Sequence, residues 1–354
     1  MKLSLPNLFD KIETAFGKKQ AFVVYKKPNQ LEINAQFQLN NDLISKVNFE
    51  DTGFVFAPFD NKNQTVFFPV LNAEIYKSEY SKVENIEINQ EIKILNKTIN
   101  KDFHLKLVKK AIENIHLNNV KKVVIARKET IEISQFNIIK TYKTLIQKYP
   151  SAMVYCWFHP KIGLWMGATP ELLCKLKENH FTTVALAGTQ IANSNENVIW
   201  GNKEKIEQQL VTDFMVHKLK VDIQNLKLSN PYTVKAGHLW HLKTDIEGEL
   251  NLKSNLKKII QKIHPTPAVC GVPKRAAKNF IIKNEGYNRE FYTGYLGEIN
   301  INLTTELFVN LRCMKIIDNN ISIYVGGGIT KDSIPEFEWN ETVTKAETMK
   351  SCFY

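Results

Sequence analysis

The residues of this chain best suited to chemistry are acids placed where acids are costly. Near Asn202 a helical pattern begins in which Glu207 shares a face with Leu210, Val211 and Phe214. A carboxylate on an apolar stripe must be paired or bound to a cation, and a lysine such as Lys203 or a metal ion would each serve. Further on, Gly326-Gly327-Gly328 leads into a second helix, where Ser333 and Glu336 form a capping-box pattern with Pro335 in the first turn. Glu338, Glu341 and Lys345 then fall at i, i+3 and i+7, on one helical face. That row reads either as an exposed salt-bridge ladder or as a site. The glycine run ahead of a helix N-terminus favours the site, because free backbone N–H groups and the helix dipole attract a carboxylate or phosphate.

Two shorter phrases add to this set. Glu171 follows a Thr-Pro turn in GATPELL, and the small residues of ALAGT (Ala187, Gly188, Thr189) let a ligand approach the backbone. His238 and His241 are spaced by three in HLWH but lack a third ligand or an H-E-x-x-H pattern, so hydrogen bonding is expected of them rather than zinc. The five cysteines, Cys156, Cys174, Cys270, Cys313 and Cys352, form no C-x-x-C pair and are odd in number. Neither a disulfide framework nor a thiolate metal site follows; all five are expected to be reduced, and Cys352, close to residue 354, to be exposed.

These side chains need elements to hold them. Residues 1 to about 95 alternate strand-like runs (AFVVYKK, TGFVFAPFD, TVFFPVL) with Asn-rich turns, after an amphipathic helix near residues 6–16. Phe103, Leu107, Ala111 and Ile115 predict a helix over about 101–117 that feeds the strand KKVVIARKETIEI. A helix at about 135–148 precedes AMVYCWFH, and IGLWMGAT, LLCKLKEN and FTTVALAGT follow as strands. After a helix at about 201–222, strands resume at GYLGEINI, ELFVNLRCMKII and ISIYVGGG, before the last helix. Strands joined by short turns predict an α+β (mixed α/β) fold, with large antiparallel sheets packed together and flanked by helices. Without repeats or linkers, the chain divides into a variable part, residues 1–95, integrated into the fold, and a catalytic domain, 96–354.

Composition narrows the classes. With 354 residues and 44% hydrophobic content the chain can bury a full core. The net charge of +11 comes from lysines spread along the whole length, which describes a solvated surface that attracts anionic metabolites rather than a nucleic-acid arm. No apolar run reaches signal-peptide or membrane-span length, so a cytoplasmic protein without membrane association is expected.

In this order, KKVVIAR, GATPELL, ALAGT, KEKIEQQLVTD, WHLKT, HPTPAVCGVPKRAA, REFYTGYLGE, VNLRCM and VGGGITKDSIPEFEWNETVTKAE resemble the chorismate-utilising enzyme family. The likeness covers roughly residues 95–354. The family includes isochorismate, salicylate, anthranilate and aminodeoxychorismate synthases. Lys122 stands where its water-using members have lysine, and Ala187 where aminodeoxychorismate synthases have a ring-attacking lysine. WHLKT, with Trp240, His241 and Thr244, also looks like the isochorismate synthase version. Gln208 and Cys270 depart from the histidine and glycine common in the family.

The resemblance implies an isomerase that converts chorismate to isochorismate for menaquinone or siderophore synthesis, with Mg2+ as cofactor. A salicylate synthase, which goes on to eliminate pyruvate, is the alternative; a non-catalytic basic binding protein on the same fold is a more distant one. By the same resemblance Lys122 is the base that activates water and Glu171 the acid for the departing hydroxyl. Those roles need the lysine pKa lowered from about 10.4 and the glutamate pKa raised. Glu207 and Glu341, with Glu338, would hold Mg2+. Tyr292 and Arg312 would hold the enolpyruvyl carboxylate. Gly188, Thr189, His241, Thr244, Gly327, Gly328 and Lys345 would complete the pocket. Chorismate is the expected partner, with no glutamine amidotransferase subunit, and a monomer is expected.

Overall fold

A computed structural model describes residues 1–45, 47–81, 91–191, 198–236 and 239–353. The chain runs α1 (Leu5–Gly17), β1 (Phe22–Lys26), β2 (Glu32–Gln38), β3 (Gly53–Ala57), β4 (Val66–Pro69), β5 (Ala73–Glu79) and β6 (Ile92–Ile94). It continues through α2 (Lys97–His116), β7 (Lys122–Ile133), α3 (Ile138–Lys148), β8 (Met153–His159), β9 (Gly163–Thr169), β10 (Leu172–Lys177) and β11 (His180–Ile191). Next come α4 (Asn202–Leu219), β12 (Ile223–Leu228), β13 (Tyr232–Ala236), β14 (Leu239–Leu250), α5 (Leu256–Ile263), β15 (Gly271–Val272) and α6 (Lys274–Asn284). The last elements are β16 (Tyr295–Ile301), β17 (Thr304–Val309), β18 (Cys313–Ile317), β19 (Asn320–Ile329) and α7 (Pro335–Lys350).

The strands form two antiparallel sheets, as the run of short connections predicts. The first has the order β15-β7-β19-β18-β9-β8-β1-β2-β5, with β6 also on β7; the second has the order β12-β14-β11-β10-β17-β16-β3-β4, with β13 on β14. The first 95 residues supply β1, β2, β5 and β6 to one sheet and β3 and β4 to the other.

Four cores among the described residues hold these layers together, one of them made by α2 and α6 over Val123 and Ile125 of β7. Between the sheets, aromatic side chains interlock: Phe56 stacks on Trp157 at 4.4 Å, and Phe54, Tyr155 and Trp165 are wholly buried beside them. Each such ring removes a large apolar area from water, which makes this seam a principal source of cohesion. On the outer face of the first sheet α1, α3 and the end of α7 pack over Val24, Cys156 and Met314, and on the second sheet α4 and α5 cover Phe181 and Ile246. Cys352 belongs to the former core and is buried, not exposed: α7 ends against the sheet and carries Cys352 and Phe353 inward with it. All five thiols are free and buried.

One sequence expectation needs correction because it bears on the site. ELFVNLRCMKII is not one strand. The chain leaves the second sheet at Val309 and enters the first at Cys313, and the crossing residue Arg312 has φ of +46°. A left-handed arginine is strained, and such residues persist where the surroundings hold them.

Candidate active site

A cavity of about 130 Å³ lies where β7, β11, β14, β19 and the residues just before β10 meet the start of α4 and the face of α7 that carries Glu341, Lys345 and Met349. Its polar wall includes Glu171, Glu207, His241, Arg312, Glu341 and Lys345, and its apolar wall includes Val124, Leu186, Val269 and Leu311.

The acids reach it from two helices. On α4, Gln208 is buried and its Nε2 donates to Thr244 Oγ1 of β14 at 2.7 Å and to Thr212 Oγ1 at 2.9 Å. This link fixes the rotation of α4 and turns the preceding residue, Glu207, into the cavity. Glu207 Oε1 meets the Lys122 ammonium at 2.7 Å, and Lys122 is wholly buried behind it at the start of β7. Burial works to raise the Glu207 carboxyl, but Lys122, then Lys345 and Lys203, outweigh it and hold it below the usual carboxylate range. On α7, Glu338 is 2% exposed and pairs with Lys203 at 2.8 Å, while Glu341 pairs with Lys345 at 2.6 Å. The Lys345 ammonium also donates to the Gly326 carbonyl at 3.1 Å. Burial and the neighbouring Glu341 charge raise the Glu338 carboxyl despite its lysine. The row on α7 therefore turns toward the interior, with Glu341 and Lys345 on the cavity wall and Glu338 buried, rather than forming an exposed ladder.

The glycine run acts differently from its sequence reading. Gly326, Gly327 and Gly328 lie within β19 rather than in a turn, and α7 starts only at Pro335. Their role is clearance. A Cβ on Gly328 would stand 2.7 Å from Glu207 Oε1 and 3.0 Å from Lys122 Cε, and one on Gly327 3.6 Å from Glu341 Oε1. The bare strand lets acids of α4 and α7 converge on it. The capping box is also absent: the cap residue is Ile334, Ser333 Oγ accepts from Thr330 N at 3.1 Å, and Glu336 pairs with Lys101 at 3.1 Å.

Opposite chemistry gathers around Glu171. It precedes β10, is 6% exposed, and its carboxyl is pushed up to about 7, because burial outweighs the pull of Lys122, Lys345 and Arg312. The raised value that an acid role demands is thus present. His241 Nδ1 lies 2.9 Å from the Gly188 carbonyl, which can only accept, so the proton is assigned to Nδ1. Nε2 then offers its lone pair to Arg312 Nη2 at 3.4 Å. Burial and the Arg312 charge bring His241 down to about 3, so the ring stays neutral. Gly188 has φ of +73°, and a Cβ there would meet Glu204 Cβ at 3.2 Å. Tyr292 is buried, its phenol raised by burial, and it stacks on Tyr324 at 5.6 Å.

The structure brings Glu171, Gly188, Glu207, His241, Tyr292, Arg312, Gly328, Glu341 and Lys345 to the cavity. Glu338 and Gly327 adjoin one another behind it. Lys122 stands behind Glu207, and Thr244 points to Gln208 and is not on the wall, its role being to hold α4. The Thr189 side chain and His238 lie outside the described residues. Lys203 and Glu204, which sequence reasoning assigned no site role, also line the cavity. Their signal was available: both sit on the helical turn just before Glu207.

For a hard divalent cation the donor set fits in kind, since Glu207, Glu338 and Glu341 offer carboxylate oxygens around one bare strand. Glu338 Oε2 is buried, with Ser333 alongside. Among the described residues no three such donors are already gathered tightly enough to ligate an ion; the lysines hold them instead.

This fold and this site define a class. The chain belongs to the chorismate binding enzyme family, whose model matches residues 54–354. It is similar to isochorismate synthase EntC of Escherichia coli, 32% identical over 200 residues that cover 54% of this chain and 51% of that protein. The matched stretch thus spans about half the length of that relative. It is also similar to isochorismate synthase MenF of Haemophilus influenzae, 25% identical over 370 residues covering 97% of this chain and 84% of that protein. The solved structure of MenF, the menaquinone-specific isochorismate synthase from Escherichia coli, matches with a TM-score of 0.80 at 20% identity, over 94% of this chain and 89% of that one. That likeness carries the fold.

Proposed function

We propose that the chain is an isochorismate synthase, an isomerase that adds water at ring carbon 2 of chorismate and expels the hydroxyl of carbon 4. The observation that carries the reading is the Glu171 carboxyl, poised at about 7 on a cavity whose other groups are a buried lysine–glutamate pair and an arginine. A carboxyl at that value holds a proton near neutrality and can give it to a leaving hydroxyl. The similarity to isochorismate synthases supports it.

In this reading Glu171 protonates the hydroxyl that leaves carbon 4, and Lys122 takes a proton from the attacking water. Lys122 can do so only as the free amine, since an ammonium has no lone pair to accept the proton, and the Glu207 carboxylate beside it lies between it and the cavity. Arg312, which lies on the cavity wall beside the neutral His241, binds a substrate carboxylate through its planar fork. Tyr292 lies within reach of the same end of the cavity, and Lys345 supplies a second cation. Glu207, Glu341 and Glu338 would hold Mg2+, which when bound would balance the ring carboxylate's charge. Ala187, on the wall, carries no amine for covalent attack on the ring. The enzyme is expected to act alone and in the cytoplasm; among the described residues no helix is long and apolar enough to cross a membrane.

Incubation of the purified protein with chorismate and Mg2+, with products resolved by chromatography, tests the reading. Isochorismate as the sole product supports it; salicylate with pyruvate would move the chain to the salicylate synthases, and unchanged chorismate would overturn it.

A further inference from the structure

Five residues beyond Lys122, β7 carries a second buried cation that the proposed chemistry does not use. Arg127 is 6% exposed, and it points away from the cavity, toward α7. Its Nε donates to Thr342 Oγ1 at 2.7 Å and its Nη1 to Glu129 Oε2 at 2.7 Å. Its guanidinium lies 4.4 Å from the centre of the Trp339 ring, which has the imidazole of His104 from α2 5.7 Å away. Glu129 also pairs with Lys350 at 3.1 Å, at the far end of α7. One strand thus grips α7 in its first half, at Trp339 and Thr342, and at its end, at Lys350.

The residues gripped are neighbours of the acids. Trp339 follows Glu338, and Thr342 follows Glu341, so each anchor is one helical step, about 100°, from a carboxylate of the site. Apolar packing alone would fix the rotation of α7 poorly, because it buries Glu338, Thr342, Thr348 and Lys350 as well as Trp339, Ala346 and Met349. A planar guanidinium is directional where apolar contact is not: it must meet a hydroxyl in its plane and a ring on its face at once. The Thr342 hydroxyl in turn donates to the Trp339 carbonyl at 2.7 Å, so the two anchors are locked to each other.

We propose that Arg127 is a positioning residue that sets the rotation of α7, and through it the placement of Glu338 and Glu341 at the site. The functional consequence rests on the isochorismate synthase reading; the structural one does not. Loss of the grip leaves the helix in place, through Ala346, Met349 and Lys350, but lets its first half turn and breathe.

The test pairs Arg127→Gln with Thr342→Val, a near-isosteric change that removes only the hydroxyl and keeps the inference open to refutation if the arginine variant does not fold. Hydrogen exchange of the backbone amides of 335–345 is measured against those of α1 and α3, together with kcat and KM for chorismate. The expected result is faster exchange confined to 335–345, and a kcat lowered roughly 100-fold in Arg127→Gln and less in Thr342→Val, with KM changed far less. Unchanged exchange in that segment, or an equal rise throughout the chain, would overturn the positioning role. Local exchange with unaltered kcat would overturn its link to the site. A wild-type protein inactive on chorismate would sink the functional reading alone, since the exchange comparison still decides whether Arg127 holds the helix.

Discussion

Raising the pH should remove one proton that the proposed reaction cannot do without. Glu171 stands at about 7 because burial outweighs the favourable charges of Lys122, Lys345 and Arg312. Its carboxyl is then protonated in about 90% of molecules at pH 6, in about half at pH 7 and in about 10% at pH 8. If the protonated form is the acid, then with Lys122 already the free amine kcat/KM for chorismate falls roughly tenfold per pH unit above about 7. The sign can be checked independently. Lys345→Met deletes a positive charge that lowers Glu171, so its descending limb should move to higher pH, whatever the overall loss of rate. The assay is the initial rate of isochorismate formation at subsaturating chorismate, followed by chromatography across about pH 5.5 to 9. Glu171→Gln, which cannot supply the proton, should show no such limb. A wild-type profile flat through this range, or a limb that Lys345→Met leaves in place or moves to lower pH, would refute the assignment of Glu171 as the acid.

Other outcomes follow from the same geometry. Gly328→Ala should cost turnover roughly 10-fold or more while the protein stays folded, because its methyl group would press on the Glu207–Lys122 pair; equal rates in both proteins would contradict the clearance role. Lys122→Gln should lower kcat by roughly 100-fold or more with little effect on KM, whereas Arg312→Ala should raise KM at least as much as it lowers kcat. Calorimetric titration with Mg2+ should register binding to the native protein and none to Glu207→Ala; an identical isotherm would remove Glu207 from the ligand set.

How far the sequence foretold this site depends on the range of each interaction. Glu338, Glu341 and Lys345 were legible because helical spacing alone puts them on one face, and Glu207 because an acid on an apolar stripe is costly. The antiparallel sheets followed from strands joined by short turns. What spacing could not give was partnership across the fold. Lys122 and Glu207 are 85 residues apart in sequence, and Lys203 and Glu338 are 135 apart, yet each pair is in contact. The capping box failed because Ser333 serves the turn at Thr330 instead. The single strand read through ELFVNLRCMKII failed for a related reason: only three residues, Asn310, Leu311 and Arg312, separate two strand-like runs, and the backbone changes sheets within them. Gly326 to Gly328 look like a turn in any sequence, and only the approach of Glu207 and Glu341 explains why a strand should carry them.

The central claim is that water, rather than the substrate's own hydroxyl, supplies the new oxygen. Chorismate turned over in oxygen-18 water should give isochorismate carrying one heavy oxygen, placed at carbon 2 by its effect on the carbon-13 resonance of that position. Unlabelled isochorismate formed in the same solvent would mean an internal transfer of the hydroxyl, and neither Lys122 as base for water nor Glu171 as acid for a departing hydroxyl would survive it.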